Sequence, residues 1–252
     1  CIRDSPRAVP KMADGDAVMA GVPRRAGLAY SALALNERGV ERALAAGVDE
    51  VTGVVVASET FSQENQRASI EEAVARWRLI ALSARGAGLR TSVTISAACG
   101  CPFEGRVPAE RVLAIAERLA ETEPDEIALA DTIGVGVPNQ VAALFGGVRE
   151  RVGDIALRGH FHNTRNTGLA NIVAAADVGV RVFDSSAGGV GGCPFAPKAT
   201  GNVPTEDVVY MLHEMGHDTG IDLDAAIAVT EWLETQLGHA TPSLVAKAGG
   251  FP

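Results

Sequence analysis

The sequence predicts an α/β fold built on a parallel sheet. Short apolar runs alternate with amphipathic stretches along nearly the whole chain, and glycines, prolines or capping residues punctuate them at the spacing of a repeated β-then-α unit. Two further observations limit the architecture. No G-x-G-x-x-G turn follows the first strand, as a dinucleotide-binding sheet would require, and about six strands can be counted. The residues leave two arrangements open: an open doubly wound sheet or a (β/α)8 barrel. In the second case the first two strands would lie ahead of Cys1, and the segment 1–10 would end the second unit.

Each element has its own justification. Residues 28–35 form an apolar run, followed by a helical stretch to Ala46 with Gly47 placed as its C-terminal cap. Residues 51–57 are almost continuously apolar, as in a strand buried on both faces. The polar stretch after them reads as a loop. Ser69 and Glu72 then have capping-box spacing and open a helix to about Arg85, closed by Gly86 and Gly88. Residues 89–96 are the third strand. Pro108 suits the first turn of the next helix, where Val112, Ile115, Ala116 and Leu119 make one apolar stripe. Residues 126–130 are the fourth strand, and Pro138 opens another helix. Residues 155–161 are the fifth strand, residues 168–178 a helix backed by Gly179, and residues 180–184 the sixth strand. A glycine-rich loop, a helix from about Thr205 and a last helix over 223–237 follow.

Composition excludes several classes. A net charge of −9 without any basic block argues against a general nucleic-acid binder, so an anionic substrate would need a local cationic pocket or a metal. No apolar run approaches the ~18 residues of a membrane helix, and no signal-peptide pattern is present. Cys1, Cys99, Cys101 and Cys193 form neither a disulfide framework nor a paired CxxC site, which fits a reducing cytoplasm.

Polar or reactive groups sit at four strand ends, where α/β barrels keep their chemistry. These are Asn36, Asp131 with Thr132, the pair His160 and His162, and the loop 188–196 with Gly201-Asn202 behind it. Alternate residues of a strand share a face, so His160 and His162 point the same way and could form half of a metal site. The spacing alone fits two partly exposed histidines equally well. Glycines at 188, 189, 191 and 192 let backbone approach a ligand and let a loop move; Cys193 there is either a small apolar filler, the commoner role of a lone cysteine, or a reactive group, and the flanking glycines with Pro194 weigh against burial. Taken singly, Asp131 reads as a capping or ion-pairing residue and Asn202 as a turn residue. Cys99 and Cys101 lack partners at metal spacing and read as structural.

Together, His160-Phe161-His162, the segment 129–136 (LADTIGVG), the segment 191–195 (GGCPF) and Thr200-Gly201-Asn202 resemble the motifs of 3-hydroxy-3-methylglutaryl-CoA lyases. These belong to the DRE-TIM metallolyases. The likeness extends to Ser5-Pro6-Arg7, to the segments 9–12 and 100–105, and to Thr205-Glu206-Asp207. It implies a TIM (β/α)8-type barrel lacking its first two strands in this chain. A single N-terminally incomplete domain would then span 1–252, with 205–252 as a helical region packed on the barrel. It further implies that His160, His162 and Asn202 bind a divalent metal, Mg2+ or Mn2+. Cys193 would be the catalytic cysteine and Asp131 a polar group near the substrate. The implied reaction is retro-Claisen cleavage of a small-molecule acyl-CoA thioester, without nucleic-acid or membrane partners; homo-oligomer formation is left open.

Three departures stand beside the resemblance. The family's Arg-Asp motif on the first strand is absent from these residues, and Arg3-Asp4 precedes Ser5-Pro6-Arg7 in the manner of the second strand's end. Asn163 occupies the place where these lyases commonly have Asp, and the segment 246–252 lacks the cysteine-containing tail of some members. Beside the 3-hydroxy-3-methylglutaryl-CoA lyase reading stand a citramalyl-CoA-type lyase, a non-catalytic barrel remnant acting as a subunit, and a condensing synthase.

Overall fold

The computed structural model describes residues 13–192 and 201–251. Six strands, β1 (Ser31–Leu33), β2 (Glu50–Val56), β3 (Arg90–Ser96), β4 (Glu126–Asp131), β5 (Ala156–Phe161) and β6 (Val182–Asp184), form one sheet in sequence order. Every neighbouring pair is parallel. The sheet curls into a half-barrel of the TIM type that lacks some of the barrel's strands. Among the described residues β1 and β6 are its edges, and both are short.

Helix α1 (Gly15–Gly21) precedes the sheet, and helices cover its outer face: α2 (Glu37–Ala45), α3 (Glu59–Gln66), α4 (Ile70–Gly86), α5 (Ala109–Ala120), α6 (Pro138–Val152) and α7 (Gly168–Asp177). The expected capping box is formed, Ser69 accepting from the Glu72 amide and Glu72 from the Ser69 amide. Val112, Ile115, Ala116 and Leu119 are the buried residues of α5, as their spacing requires. The outer core also holds Trp77, Phe61, Phe145, Phe161 and Ile172, all essentially inaccessible. Strand β2 crosses Trp77 at Gly53, where a Cβ would come within 2.4 Å of the indole.

Helix α3 replaces the expected polar loop. Ser58 caps it by accepting from the Phe61 amide at 3.2 Å, and its buried face is Phe61, Ser62, Asn65 and Gln66. Only one of these four is apolar, so hydrophobic periodicity gave no signal. Gln66 Nε2 instead donates to Val54 O of β2 at 3.1 Å. Beyond the sheet, α8 (Thr205–Glu214), α9 (Leu223–Leu237) and α10 (Val245–Ala248) form the C-terminal helical region. Asp207 of α8 accepts from Ser243 Oγ and from the Val245 amide, tying α10 down. Among the described residues no helix is long and apolar enough to cross a membrane.

Candidate functional site

Strand β5 fixes which side chains enter the half-barrel. Leu157 and Phe161 point outward, Phe161 packing on Phe145 of α6 with ring centroids 6.3 Å apart. Alternation then sends Arg158 and His160 inward. Gly159 makes this possible, because a Cβ there would meet Phe161 at 2.7 Å and Phe183 at 3.0 Å. His162 follows directly, and the His160 and His162 ring centroids lie 5.3 Å apart.

The third predicted ligand, 40 positions on, arrives next to His162 in the connection between β6 and α8. An isolated antiparallel bridge pairs His162 with Asn202, reinforced by Asn163 N donating to Gly201 O and Val203 N donating to Phe161 O. Asn202 Nδ2 donates to Val190 O at 3.1 Å. Its Oδ1 is buried and accepts no hydrogen bond among the described residues. Anchored by its nitrogen, this amide offers an oxygen whose burial costs about 1–3 kcal/mol unless something is bound to it. Two neighbouring imidazoles and an orphaned amide oxygen on the residue bridged to His162 are donor types suited to a divalent cation. Among the described residues no three His, Cys, Asp or Glu side chains cluster for a metal.

Below the imidazoles the inner face is polar. Asp184 of β6, in register with His160, brings Oδ2 to 3.0 Å from His160 Nδ1. Its Oδ1 lies 3.4 Å from Arg158 Nη1. Arg158 Nη2 reaches Glu126 at 2.7 Å, Ser92 Oγ at 3.0 Å and Glu50 at 3.6 Å. Burial works to raise the Asp184 carboxyl, but His160 and Arg158 outweigh it and hold the group below its ordinary value. Glu126 goes the other way: its desolvation exceeds the pull of Arg158 and raises it. Periodicity read β6 only as a strand, and the register with β5 is what reveals Asp184.

Asp131 does not join the histidines. It pairs in register with Phe161, not with His160, so its side chain takes the outer face of the sheet. Both carboxylate oxygens are occupied, accepting from the Val135 amide at 3.0 Å and the Gly136 amide at 2.8 Å. Burial raises its carboxyl, with those amides working against the shift. Burial and the Asp131 charge together push the neighbouring Cys99 thiol well above its ordinary value. Asp131 clasps the turn 132–136, and its backbone oxygen accepts the His162 amide at 3.3 Å.

Asn36 is likewise a cap, accepting from the Gly39 amide at 2.9 Å. Asn163 Oδ1 accepts from the Gly168 amide at 3.0 Å, so the residue that departs from the family's usual Asp serves the start of α7. Cys193 and Arg3-Asp4 fall outside the described residues. The base of the glycine-rich loop is described. Gly188 and Gly189 have φ of 63° and 71°, and Gly188 N donates to the wholly buried Glu206 at 2.8 Å. Thr230 of α9 donates to the same carboxylate oxygen. Neither Glu206 nor Asp184 stood out by spacing, since each acts on a residue far away in sequence.

A sequence model described as HMGL-like matches residues 9–233. The chain belongs to the HMGL-like family. An (R)-citramalyl-CoA lyase of Chloroflexus aurantiacus is 45% identical over 255 residues, covering 97% of this chain and 80% of that protein. A hydroxymethylglutaryl-CoA lyase of Pseudomonas mevalonii is 44% identical, covering 95% and 79% respectively. A solved HMG-CoA lyase of Acinetobacter baumannii, in complex with coenzyme A and 3-methylmalate, matches with a TM-score of 0.93 and 40% identity over 98% of this chain and 80% of that one. Membership of the HMGL-like family makes this protein a carbon–carbon lyase.

Proposed function

We propose that this protein is a divalent-metal-dependent hydroxyacyl-CoA lyase that splits 3-hydroxy-3-methylglutaryl-CoA into acetyl-CoA and acetoacetate. What supports the reading is the pair of His160 and His162 rings 5.3 Å apart, with Asn202, whose Oδ1 is buried and unpartnered, bridged to His162. Those three residues would hold Mg2+ or Mn2+. A cation there supplies Lewis acidity, lowering the pKa of the tertiary hydroxyl and neutralising charge on substrate oxygens.

The chain's own groups do the rest. The hydroxyl proton must leave as the C–C bond breaks, and the electron pair of that bond passes to the acetyl-CoA carbon as an enolate. Cys193, carried on the loop whose base Glu206 fixes, is the group we assign to protonate that carbon, closing the balance with one proton lost and one gained. Asp131 acts one step removed, as the clasp of the turn that supports His162. The protein is proposed to work on free acyl-CoA in the cytoplasm.

A second reading has a specific observation behind it. The (R)-citramalyl-CoA lyase relative is as similar as the hydroxymethylglutaryl-CoA lyases, and the same machinery would release pyruvate in place of acetoacetate. Incubating the native-length protein and Mg2+ with each thioester, then assaying acetoacetate and pyruvate, decides between them. Acetoacetate as the main product supports the first reading, and pyruvate the second. Cleavage of neither, by a folded protein that binds metal, would refute both and leave a barrel that acts as a subunit.

A further inference from the structure

The polar layer under the histidines contains more than a lyase needs for filling. Arg158 is almost enclosed, with three carboxylates around it and its Nε buried without a hydrogen bond among the described residues. Glu126 and Ser92 hold its Nη2 from β4 and β3, so the guanidinium is fixed from one side. Its Nη1 then faces Asp184, the one carboxylate of the three that also touches a histidine.

We propose that Asp184, itself oriented by Arg158, is the positioning residue that holds His160 as the Nδ1–H tautomer and so turns the Nε2 lone pair toward the strand ends. The geometry leaves little choice. An ionised carboxylate only accepts, so the 3.0 Å contact between Asp184 Oδ2 and His160 Nδ1 requires the proton on Nδ1. A neutral imidazole with hydrogen on Nδ1 has its other nitrogen bare, which is the form that binds a metal. The parallel register of β5 and β6 sets the distance, since His160 and Asp184 are direct Cα partners. Arg158 sits two residues before His160 on the same face, in register with Val182, two before Asp184. The relay therefore runs along one step of the sheet and needs no loop.

The inference rests on the metal reading above, and it makes a distinctive forecast for a near-isosteric change. In Asp184→Asn, Arg158 can only donate and will keep the amide oxygen on its own side. The amide nitrogen is then turned to His160 Nδ1, which must become the acceptor, and the proton moves to Nε2. Wild-type metal-free protein, labelled with 15N and examined in mildly alkaline buffer, should show His160 with a protonated Nδ1 and a bare Nε2. Asp184→Asn should show the opposite tautomer and bind Mn2+ about 10–100-fold more weakly. Adding Arg158→Gln should let the amide turn over and recover part of that loss.

A wild-type His160 carrying its proton on Nε2 would overturn the proposal without any variant being made. So would an Asp184→Asn protein with unchanged tautomer and Mn2+ affinity. A wild-type protein with the expected tautomer that binds no Mn2+ would instead refute the metal reading, so the two failures are separable.

Discussion

Glu206 offers the sharpest test of how the glycine-rich loop is held. The residue is wholly buried, and one carboxylate oxygen accepts from both the Gly188 amide at 2.8 Å and the Thr230 hydroxyl. Glu206→Ala would strand two buried donors, each worth about 1–3 kcal/mol when left unmade. A small cavity from the lost side chain adds to this, so about 3–5 kcal/mol of destabilisation is expected. At about 2–4 °C per kcal/mol for a chain of this size, the melting temperature should fall by roughly 6–20 °C. Glu206→Gln keeps an acceptor oxygen for Gly188 and should lose less than half as much. Thermal unfolding followed by circular dichroism reads both. An alanine variant melting within about 2 °C of wild type would refute the idea that this carboxylate anchors the loop.

Three further outcomes follow from named contacts. Cys193→Ala should reduce turnover by about 10²–10⁴-fold while leaving Mn2+ affinity unchanged, and unaltered turnover would remove the thiol from the chemistry. At Glu104, burial opposes the charge, yet the Thr60 amide, the Ser58 hydroxyl and Arg111 outweigh it and hold the carboxyl at about 2 against an ordinary 4.5. A depressed value stabilises the fold above the unfolded-state pKa, so this contribution, about 1 kcal/mol at a solvent-screened rim, should fade as pH falls from about 4.5 toward 2. Acid titration of wild type against Glu104→Gln checks it, the two curves converging at low pH. Gly53→Ala should cost about 1–3 kcal/mol, because its Cβ would press into the buried Trp77 ring at 2.4 Å. Indole fluorescence and denaturant midpoints would register the displacement.

The fold was legible because its period was. Glu50–Val56 and Glu126–Asp131 are strands whose apolar residues serve two buried faces, and Ser69 with Glu72 announces the start of α4. Helix α3 carries no apolar period because three of its four buried residues are Ser62, Asn65 and Gln66, and Gln66 is held by a hydrogen bond to Val54 O that no pattern records. The site divides along the same line. His160 and His162 share a local period, and the resemblance supplied Asn202, which the bridge at His162 then placed. At Asp131 a strand's last residue can face either side, and the pairing with Phe161 says which. Arg158, Asp184 and Glu206 act through partners from 18 positions away (Gly188 and Glu206) to 108 (Glu50 and Arg158), and such couplings are set by register and packing. Arg158 with Glu126 spans 32 positions and Arg158 with Asp184 spans 26, neither visible in any short window.

The central claim is that His160, His162 and Asn202 share one divalent cation. Crystals of the native-length protein grown with Mn2+, with data collected at the manganese edge, test it directly. A single anomalous peak is expected within coordination distance of both imidazoles and Asn202 Oδ1, lost in His162→Ala. A peak bound elsewhere, or density showing the three side chains ligating nothing at saturating Mn2+, would contradict it.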